Sequence, residues 1–194
     1  MKKIGITGNI AAGKSLVEDF IKNSGYKVID ADAICHVALE NNPKIIKSIQ
    51  TLFKNHDILE DGQLCRKKIG KIVFSNHKYK KELEKILHPF VREEIERFFE
   101  ANKSEELVFV SAALLFEANL QDIFDKIIFV SASDEMRLER LKKRNNLTTA
   151  EAKMRLNAQK PQDEKIKLAD FVLENNFSTD VLKKKTFDIL KLLH

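Results

Sequence analysis

The sequence predicts an α/β fold of three layers, with a central parallel sheet of five strands between helices. Two observations support this prediction. Short apolar runs bounded by turn residues alternate with longer segments of helical periodicity, and the first apolar run leads through a glycine-containing loop into a helix. Strands that alternate with helices pair in parallel through right-handed crossovers, which put helices on both faces of the sheet. A chain of 194 residues is long enough to bury one such core.

Five apolar runs are predicted to form the sheet: Lys2–Thr7, Tyr26–Asp30, Leu107–Ser111, Lys126–Val130 and Phe171–Leu173. The connection between the second and third runs is too long for one helix, and between Ala33 and Lys103 the sequence shows only helical patterns. We therefore predict a single domain with a core at about residues 1–33, 104–132 and 162–194 and a helical insertion at about 34–103.

A second helical excursion, rich in arginine, is predicted at about residues 133–161, between the fourth and fifth strands. Its second helix is expected to start at Thr148, because Thr148 and Glu151 have the spacing of a capping box. A helical excursion at this point of an α/β chain can act as a lid that excludes water from a reaction.

Composition and charge narrow the functional classes only in part. The net charge is +5, but the lysines are dispersed, so charge alone does not separate a nucleic-acid partner from a polyanionic small substrate. Cys35 and Cys65 are too few and too isolated for a disulfide framework or a zinc site, which fits a reducing compartment. Because no run has the character of a signal segment or the length of a membrane span, we expect a cytoplasmic protein.

The stretch from Gly8 to Ser15 contains the motif that carries chemistry. Gly8, Gly13, Lys14 and Ser15 satisfy the phosphate-loop pattern G-x-x-x-x-G-K-[ST]. The glycines let the backbone curl so that its N–H groups and the N-terminus of the next helix point at phosphate oxygens. Lys14 is expected to neutralise the β- and γ-phosphates, and the Ser15 hydroxyl to ligate Mg²⁺. The predicted fold class is therefore that of the phosphate-loop NTPases and kinases.

Two carboxylates follow the second predicted strand. Asp30 and Asp32 lie where this strand ends, at the edge of the sheet where open α/β folds bind ligands. Either one can take a proton from an acceptor hydroxyl or hold a magnesium-bound water. For Asp30, a helix cap or a turn is an equally good interpretation. The N-K-x-D signature of GTPases is absent.

In this order, the motifs resemble the dephospho-coenzyme A kinase family along nearly the whole chain. The stretches that carry the resemblance are ITGNIAAGKS, VIDADAICH, DGQLCRKKIGKIVF, LEKILHPFVREEI, ALLFE, RLERLKKR and ADFVLENN. Only the first is specific alone, and the match rests on their order and spacing. The resemblance implies transfer of the γ-phosphoryl group of ATP to the ribose 3′-hydroxyl of dephospho-CoA, giving coenzyme A and ADP in the final step of coenzyme A biosynthesis.

The resemblance also implies roles for individual residues. Asp32 is the base on the 3′-hydroxyl, and Arg140 on the lid stabilises charge on the transferred phosphoryl group. Thr7 matches a position near the phosphates. By the same likeness, the ATP-binding loop consists of Gly8, Asn9, Ile10, Ala11, Ala12, Gly13, Lys14 and Ser15.

The chain departs from the family pattern at several positions. Relatives usually have a proline, often with an acid nearby, where this chain has Ser111–Ala113, so no strand-end carboxylate is left there. Magnesium is then expected on Ser15, ATP oxygens and water, with one of the two strand-end aspartates in its outer sphere. Arg137 stands in place of a usual glutamine. Asn9 and Ala11–Ala12 replace glycine and serine at positions that mainly offer backbone N–H groups, so we expect the loop to function.

The arginines of the lid have two interpretations. Arg137, Arg140 and Arg144 recur at spacings of three and four and therefore share one helix face. Such a face is usually a solvated surface, but its place on a lid favours a role for at least one arginine in binding phosphate.

His88 and a set of phenylalanines also have alternative interpretations. His88 precedes Pro89 on a long predicted helix, and is either a core position near a kink or part of the dephospho-CoA pocket. The phenylalanines at helical spacings are expected in the core, although one of them can line the slot for the acceptor's adenine: Phe53, Phe74, Phe90, Phe98 and Phe99.

Two other functions remain open from the residues alone. A nucleoside or nucleoside-monophosphate kinase shares the loop, the strand-end acids and an arginine-bearing lid. A nucleotide-dependent nucleic-acid-binding module suits the basic composition, but it calls for a basic stripe rather than a closed pocket. The favoured prediction is a small-molecule kinase that uses ATP and Mg²⁺ and has no nucleic-acid or membrane partner. A monomer or a weak homo-oligomer is expected.

Overall fold

The computed structural model describes all 194 residues, from Met1 to His194. Its helices and strands follow one another along the chain in this order: β1 (Lys2–Gly8), α1 (Lys14–Asn23), β2 (Lys27–Asp30), α2 (Ala31–Asn41), α3 (Pro43–Leu52), β3 (Leu59–Glu60), β4 (Gln63–Leu64), α4 (Arg66–Ser75), α5 (His77–Ala101), β5 (Leu107–Ser111), β6 (Lys126–Ser131), α6 (Asp134–Asn145), α7 (Thr149–Asn157), α8 (Gln162–Ile166), β7 (Phe171–Glu174) and α9 (Thr179–Leu193). A single 3₁₀ turn, Gln121–Ile123, precedes β6. No helix combines the length and the apolar character that crossing a bilayer requires.

Five of the strands form one parallel sheet in the order β2-β5-β1-β6-β7. The predicted α/β fold with a central parallel five-stranded sheet is confirmed, and each predicted strand agrees with the structure to within one residue at either end. Because β1 lies in the middle of the sheet, the loop that follows it emerges at the centre of the carboxyl edge, where open α/β sheets bind ligands.

In the core beside the sheet, α1 and α9 pack against the strands, β1 among them. Ile4 and Ile6 are fully buried on β1, and Val17 and Ile21 are buried one helical turn apart on α1. On α9, residues spaced by three and four positions are buried in the same cluster, including Leu182, Ile189, Leu190 and Leu193. Full burial of one such side chain contributes about 1.5–3 kcal/mol. This packing fixes the position of α1, and therefore the point at which the loop passes into the helix.

The chain divides into two compact units, one made of Met1–Asp30 and Phe98–His194 and the other of Ala31–Arg97. The second unit, which we call the helical unit, has a core of its own around Ile45, Ile49 and Phe53. The ring of Phe53 stacks on that of Tyr79 with the centroids 5.1 Å apart. The expectation that Phe74 is a core residue is wrong, because its side chain is 67% exposed.

The expectation that residues between Ala33 and Lys103 form only helices is also wrong. Leu59–Glu60 and Gln63–Leu64 pair as an antiparallel hairpin. Asp61 and Gly62 between them both have positive φ, 49° and 79°, as a type I′ turn requires. The Asp-Gly dipeptide was the available signal, but strands of two residues are too short to show an alternation of apolar and polar side chains.

Capping explains where the helices of the arginine-rich excursion begin. Ser133 caps α6 by accepting from the N–H of Met136, and α6 ends at Asn145, followed by the C-cap residue Asn146 with φ 50°. The predicted capping box is confirmed: the Thr148 hydroxyl accepts from the N–H of Glu151, and the Glu151 carboxylate accepts from the N–H of Thr148.

Candidate active site

The predicted phosphate loop has the strand–loop–helix context that its chemistry needs. β1 ends at Gly8, and Gly13 caps α1 with φ 104°, a left-handed conformation. A Cβ on Gly13 would lie 2.1 Å from Nδ2 of Asn175, and a Cβ on Gly8 would lie 2.5 Å from the carbonyl oxygen of Val130. Backbone conformation and close packing therefore both require glycine at position 13, and packing requires it at position 8.

Asn175, which follows β7, binds the backbone of the loop. Its buried Nδ2 donates to the carbonyl oxygen of Ala12 at 2.7 Å. Arg140 of α6 reaches the same place, where Nη2 donates to the carbonyl oxygen of Asn175 at 2.9 Å and Nη1 lies 3.5 Å from that of Ala12. The half-buried guanidinium of Arg140 is thus fixed between the loop and the end of β7.

The beginning of the loop is bound by residues of the arginine-rich excursion. Arg137 Nε donates to the carbonyl oxygen of Ile10 at 3.1 Å, and Gln159 Oε1 accepts from the N–H of Ile10 at 2.7 Å. Asn9 Nδ2 donates to the carbonyl oxygen of Lys160 at 3.0 Å. The two departures from the family pattern at Asn9 and Arg137 therefore both form contacts between loop and excursion.

Arg137 is buried, with only 3% of its surface exposed. Burial lowers the pKa of its guanidinium, and the carboxylate of Asp134, 2.8 Å from Nη1, acts in the opposite direction. The three lid arginines do not share one environment, because Arg140 is half-buried and Arg144 is exposed.

A cavity of about 390 Å³ lies beside the loop, lined by Asn9, Arg137 and Gln162 among others. Each of these three side chains has one buried polar atom without a hydrogen-bond partner in the protein, namely Asn9 Oδ1, Arg137 Nη2 and Gln162 Oε1. Buried polar atoms of this kind are available to a ligand or to water.

Lys14 lies at the start of α1 within a network of polar side chains. Its Nζ donates to Ser111 Oγ at 2.5 Å and lies 3.9 Å from Glu18 Oε2. Glu18 in turn accepts from Lys22 Nζ at 2.6 Å. The ammonium group of the loop lysine is therefore held at the end of β5, beside β1.

The oxygen donors at this edge fit a magnesium ion bound together with a nucleotide. Ser15 is exposed and follows Lys14 in the first turn of α1, and Asp30 is the last residue of β2, in register with Ser111. Protein-bound Mg²⁺ is commonly held by one or two carboxylates plus phosphate oxygens and water. No group of three or more His, Cys, Asp or Glu could form an all-protein metal cage. Thr7, just before the loop, is buried on β1.

Asp32 and His88 belong to the helical unit. β2 passes into α2 without a loop, so Asp32 lies in the exposed first turn of α2 rather than on the strand. His88 is half-buried on α5, which continues as a helix through Pro89. Burial lowers the pKa of the His88 imidazole, and the nearby Glu84 carboxylate acts in the opposite direction.

Sequence reasoning missed four residues that shape this site: Asn175, Gln159, Ser111 and Glu18. The asparagines of ADFVLENN and the serine at the end of β5 were noticed without a role. Gln159 carried no signal, because its partner Ile10 is far away in the sequence. Glu18 carried none either, because the sequence does not show which face of α1 is buried.

The comparisons with known proteins agree on one family. The family model described as dephospho-CoA kinase matches residues 2–180. A dephospho-CoA kinase of Listeria monocytogenes is 41% identical over 194 residues, which cover 98% of this chain and 96% of the relative.

Two solved structures resemble this chain over nearly its whole length. A crystal structure from Thermus thermophilus superposes with a TM-score of 0.86 at 33% identity and covers 100% of this chain and 98% of its own. A dephospho-CoA kinase from Campylobacter jejuni gives a TM-score of 0.72 at 31% identity, covering 97% of this chain and 95% of its own.

Proposed function

The chain belongs to the dephospho-CoA kinase family, and from this premise we propose that it transfers the γ-phosphoryl group of ATP to the ribose 3′-hydroxyl of dephospho-CoA, in coenzyme A biosynthesis. The bond between the γ-phosphorus and the β–γ bridging oxygen breaks to leave ADP. A bond forms from the 3′-oxygen to the γ-phosphorus, and the hydroxyl proton leaves to a base.

The observation that carries this proposal is the phosphate loop at the carboxyl end of the central strand. Gly13 can adopt its left-handed conformation at the start of α1, and the loop backbone is held by Asn175 and Arg140. Phosphoryl transfer depends on positioning and on positive charge around the transferred group more than on covalent chemistry. A rigid loop that ends in Lys14 suits that requirement.

On the nucleotide side, Lys14 neutralises the β- and γ-phosphates and the N-terminus of α1 faces them. Arg140, held half-buried against the loop, stabilises charge that develops on the transferred group. The Ser15 hydroxyl would hold Mg²⁺, which would supply positive charge to the nucleotide phosphates.

On the acceptor side, Asp32 takes the proton of the 3′-hydroxyl. It follows the carboxyl end of β2 by two residues, and open α/β sheets bind ligands outside the carboxyl ends of their strands. A ribose hydroxyl loses its proton late in a loose transition state, so the orientation and charge of the carboxylate matter more than its basicity. Asp30 is the alternative base.

We assign the larger segments by the same reasoning. The helical insertion at about residues 34–103 binds dephospho-CoA, with His88 in the pocket, and the excursion at about 133–161 is a lid. The contacts of Arg137 and Gln159 with the loop support the lid assignment, because a lid must reach the phosphates to exclude water.

An assay of ADP release with single acceptors tests the function. We expect turnover with ATP and dephospho-CoA, and little with CMP or a deoxynucleoside. Mass spectrometry of the product should show one added phosphoryl group. Loss of this group on treatment with a 3′-specific phosphatase, but not in a control without the phosphatase, locates the group on the ribose. A matched preparation of Lys14→Met excludes a contaminating kinase.

Preference for CMP or a deoxynucleoside as acceptor would contradict the proposal and favour the nucleoside kinase alternative. Binding to nucleic acid that weakens steeply with salt, in the absence of turnover, would favour the nucleic-acid-binding alternative instead.

We also propose where the protein acts and in what oligomeric state. The protein works in the cytoplasm as a monomer or a weak homo-oligomer, on small molecules rather than on nucleic acid or membranes. Light scattering across a range of concentrations tests the oligomeric part.

A further inference from the structure

Glu18 is a buried carboxylate for which the proposed mechanism has no use. It lies one helical turn after Lys14 on α1 and is 6% exposed. Burial of a charged group is unfavourable unless the group is paired and hydrogen-bonded. The partners of Glu18 therefore indicate why this position holds a charge.

Three side chains surround the carboxylate. Lys22 Nζ lies 2.6 Å from Oε1, Lys14 Nζ lies 3.9 Å from Oε2, and the Ser111 hydroxyl is hydrogen-bonded to the carboxylate. Burial raises the pKa of Glu18, but the hydrogen bonds from Lys22 and Ser111 and the positive charge of Lys14 outweigh it, so that the pKa lies below its ordinary value. Glu18 is therefore ionised at neutral pH.

The direction of the hydrogen bonds follows from what each group can donate. A lysine ammonium has no acceptor, so Ser111 Oγ must accept from Lys14 Nζ across their 2.5 Å contact. The single proton of the Ser111 hydroxyl is then left for Glu18, which as a carboxylate can only accept. The order of donation is Lys14 to Ser111 to Glu18.

The position of Ser111 gives this network a functional meaning. Ser111 ends β5, in register with Asp30 on one side and Ile6 on the other. In phosphate-loop NTPases an aspartate at the end of a strand beside the loop supplies negative charge there, but Ser111–Ala113 contain no acid. Glu18 brings a carboxylate to this place from α1.

We propose that Glu18 is a positioning residue for phosphoryl transfer: through Ser111 and directly, it holds the Lys14 ammonium where the nucleotide phosphates will meet it, and it supplies from α1 the charge that β5 lacks. This inference rests on the proposed function of the loop as an ATP site. It adds a partner for Lys14 and makes Glu18 and Ser111 a functional pair.

A purely structural role would depend on Lys22 instead. Glu18 and Lys22 are spaced by four residues on α1, and such pairs stabilise helices modestly. Lys22→Gln removes that pair and leaves the contacts of Glu18 with Ser111 and Lys14. It is therefore the matched control for Glu18→Gln.

The test compares the parent with Glu18→Gln, Lys22→Gln and the double variant Glu18→Gln/Ser111→Asp. ADP affinity is measured by calorimetry in the presence of a chelator, kcat and KM for ATP by ADP release, and folding by circular dichroism and thermal midpoint. We expect Glu18→Gln to weaken ADP binding and to lower kcat/KM for ATP, each by roughly 10–100-fold. This is the range for residues that orient a ligand-binding side chain without contacting the ligand. Lys22→Gln should stay within about twofold, and the double variant should recover most of the loss.

The outcomes separate this inference from the proposed function. An active parent with an equally active Glu18→Gln overturns the inference alone, as do equal losses in Glu18→Gln and Lys22→Gln. A folded double variant that stays as impaired as Glu18→Gln also overturns it, because a carboxylate restored beside Lys14 would then have no effect. A parent that binds no nucleotide and does not phosphorylate dephospho-CoA overturns the proposed function, and with it the premise of the inference.

Discussion

In the unit that carries the phosphate loop, three buried charged side chains form ion pairs, whereas in the helical unit neither member of an ion pair is buried. The buried members are Glu18, Arg137 and Lys165, and their partners are the exposed Lys22, the exposed Asp134 and the half-buried Glu117. The surface pairs include His36 with Glu40 and Lys68 with Asp57.

Exposed pairs contribute little to stability, because solvent screens them and their side chains lose freedom when they pair. Buried pairs are seldom more stable than apolar side chains of similar volume, yet removal of one partner is strongly destabilising. Burial of charge in the first unit is therefore better explained by function than by stability: a site for polyanionic phosphate needs cations held in place away from water. The helical unit shows no such concentration.

The largest effect is expected at Lys14. Lys14→Met keeps the length of the side chain and removes its charge, so the phosphates lose their main protein cation. We expect kcat/KM for ATP to fall by about 10³–10⁵-fold, which is what one cation on a transferring phosphoryl group can contribute. Steady-state ADP release measures this.

The fold should persist in Lys14→Met, because Lys22 and Ser111 still partner Glu18. Circular dichroism and the thermal midpoint provide that control. Retention of most of the turnover would show that the loop does not hold phosphates.

Asp32 tests whether an exposed residue of the helical unit can matter as much as buried charge in the first unit. Asp32→Asn keeps the size of the side chain and loses its charge, so a general base is removed without a cavity. We expect kcat to fall by about 10²–10⁴-fold with little change in ATP affinity. Single-turnover rates and ATP titrations measure the two effects separately.

Asp30→Asn is the matched variant for Asp32→Asn. A steep loss of ATP affinity in Asp32→Asn, with kcat near that of the parent, would identify Asp32 as a magnesium or nucleotide residue. The candidate base would then be Asp30.

The next effect concerns stability and compares one buried pair with one exposed pair. Lys165 is 1% exposed and its Nζ lies 2.5 Å from Glu117 Oε1, an ion pair without hydrogen-bond geometry. Lys165→Met leaves the Glu117 carboxylate without its cation, and we expect the free energy of unfolding to fall by about 3 kcal/mol. Lys68→Met, at the exposed pair with Asp57, should leave it nearly unchanged.

Urea unfolding at neutral pH measures both variants. Adding Glu117→Gln to Lys165→Met should recover part of the loss, because the unpaired charge is then removed. Equal effects of the two lysine variants would remove the distinction between the units.

Local patterns were enough to predict what neighbouring residues determine. The phosphate loop, the strands of the sheet and the capping box at Thr148 each depend on a few consecutive residues, and each has the predicted local structure. The loop could be predicted because its glycines satisfy constraints of backbone conformation and close packing that can be inferred from the motif.

Contacts across the sheet could not be predicted in the same way. Asn175 meets Ala12 across 163 residues of sequence, and Lys14 meets Ser111 across 97. Periodicity also gives the spacing of a helix face but not its surroundings, which is why Phe53 is buried while Phe74 is exposed. Only the tertiary fold determines which positions of a helix are buried, and the burial of the Glu18 carboxylate is one example.

The smallest effect is expected at His88, where burial acts on a charge within the helical unit. Burial lowers the pKa of this imidazole in the folded protein, and the Glu84 carboxylate offsets this only in part. The unfolded chain, with a pKa near 6.5, then binds a proton more readily than the folded chain, so stability is present above that pKa and declines as the pH falls through it towards the lower folded value. His88→Gln cannot take up this proton, and its free energy of unfolding should decline less than that of the parent between about pH 7 and pH 5. One proton limits the difference in slope to about 1.4 kcal/mol per pH unit. Parallel urea titrations of the two proteins at several pH values measure it, and identical slopes would mean that His88 is as well solvated when folded as when unfolded.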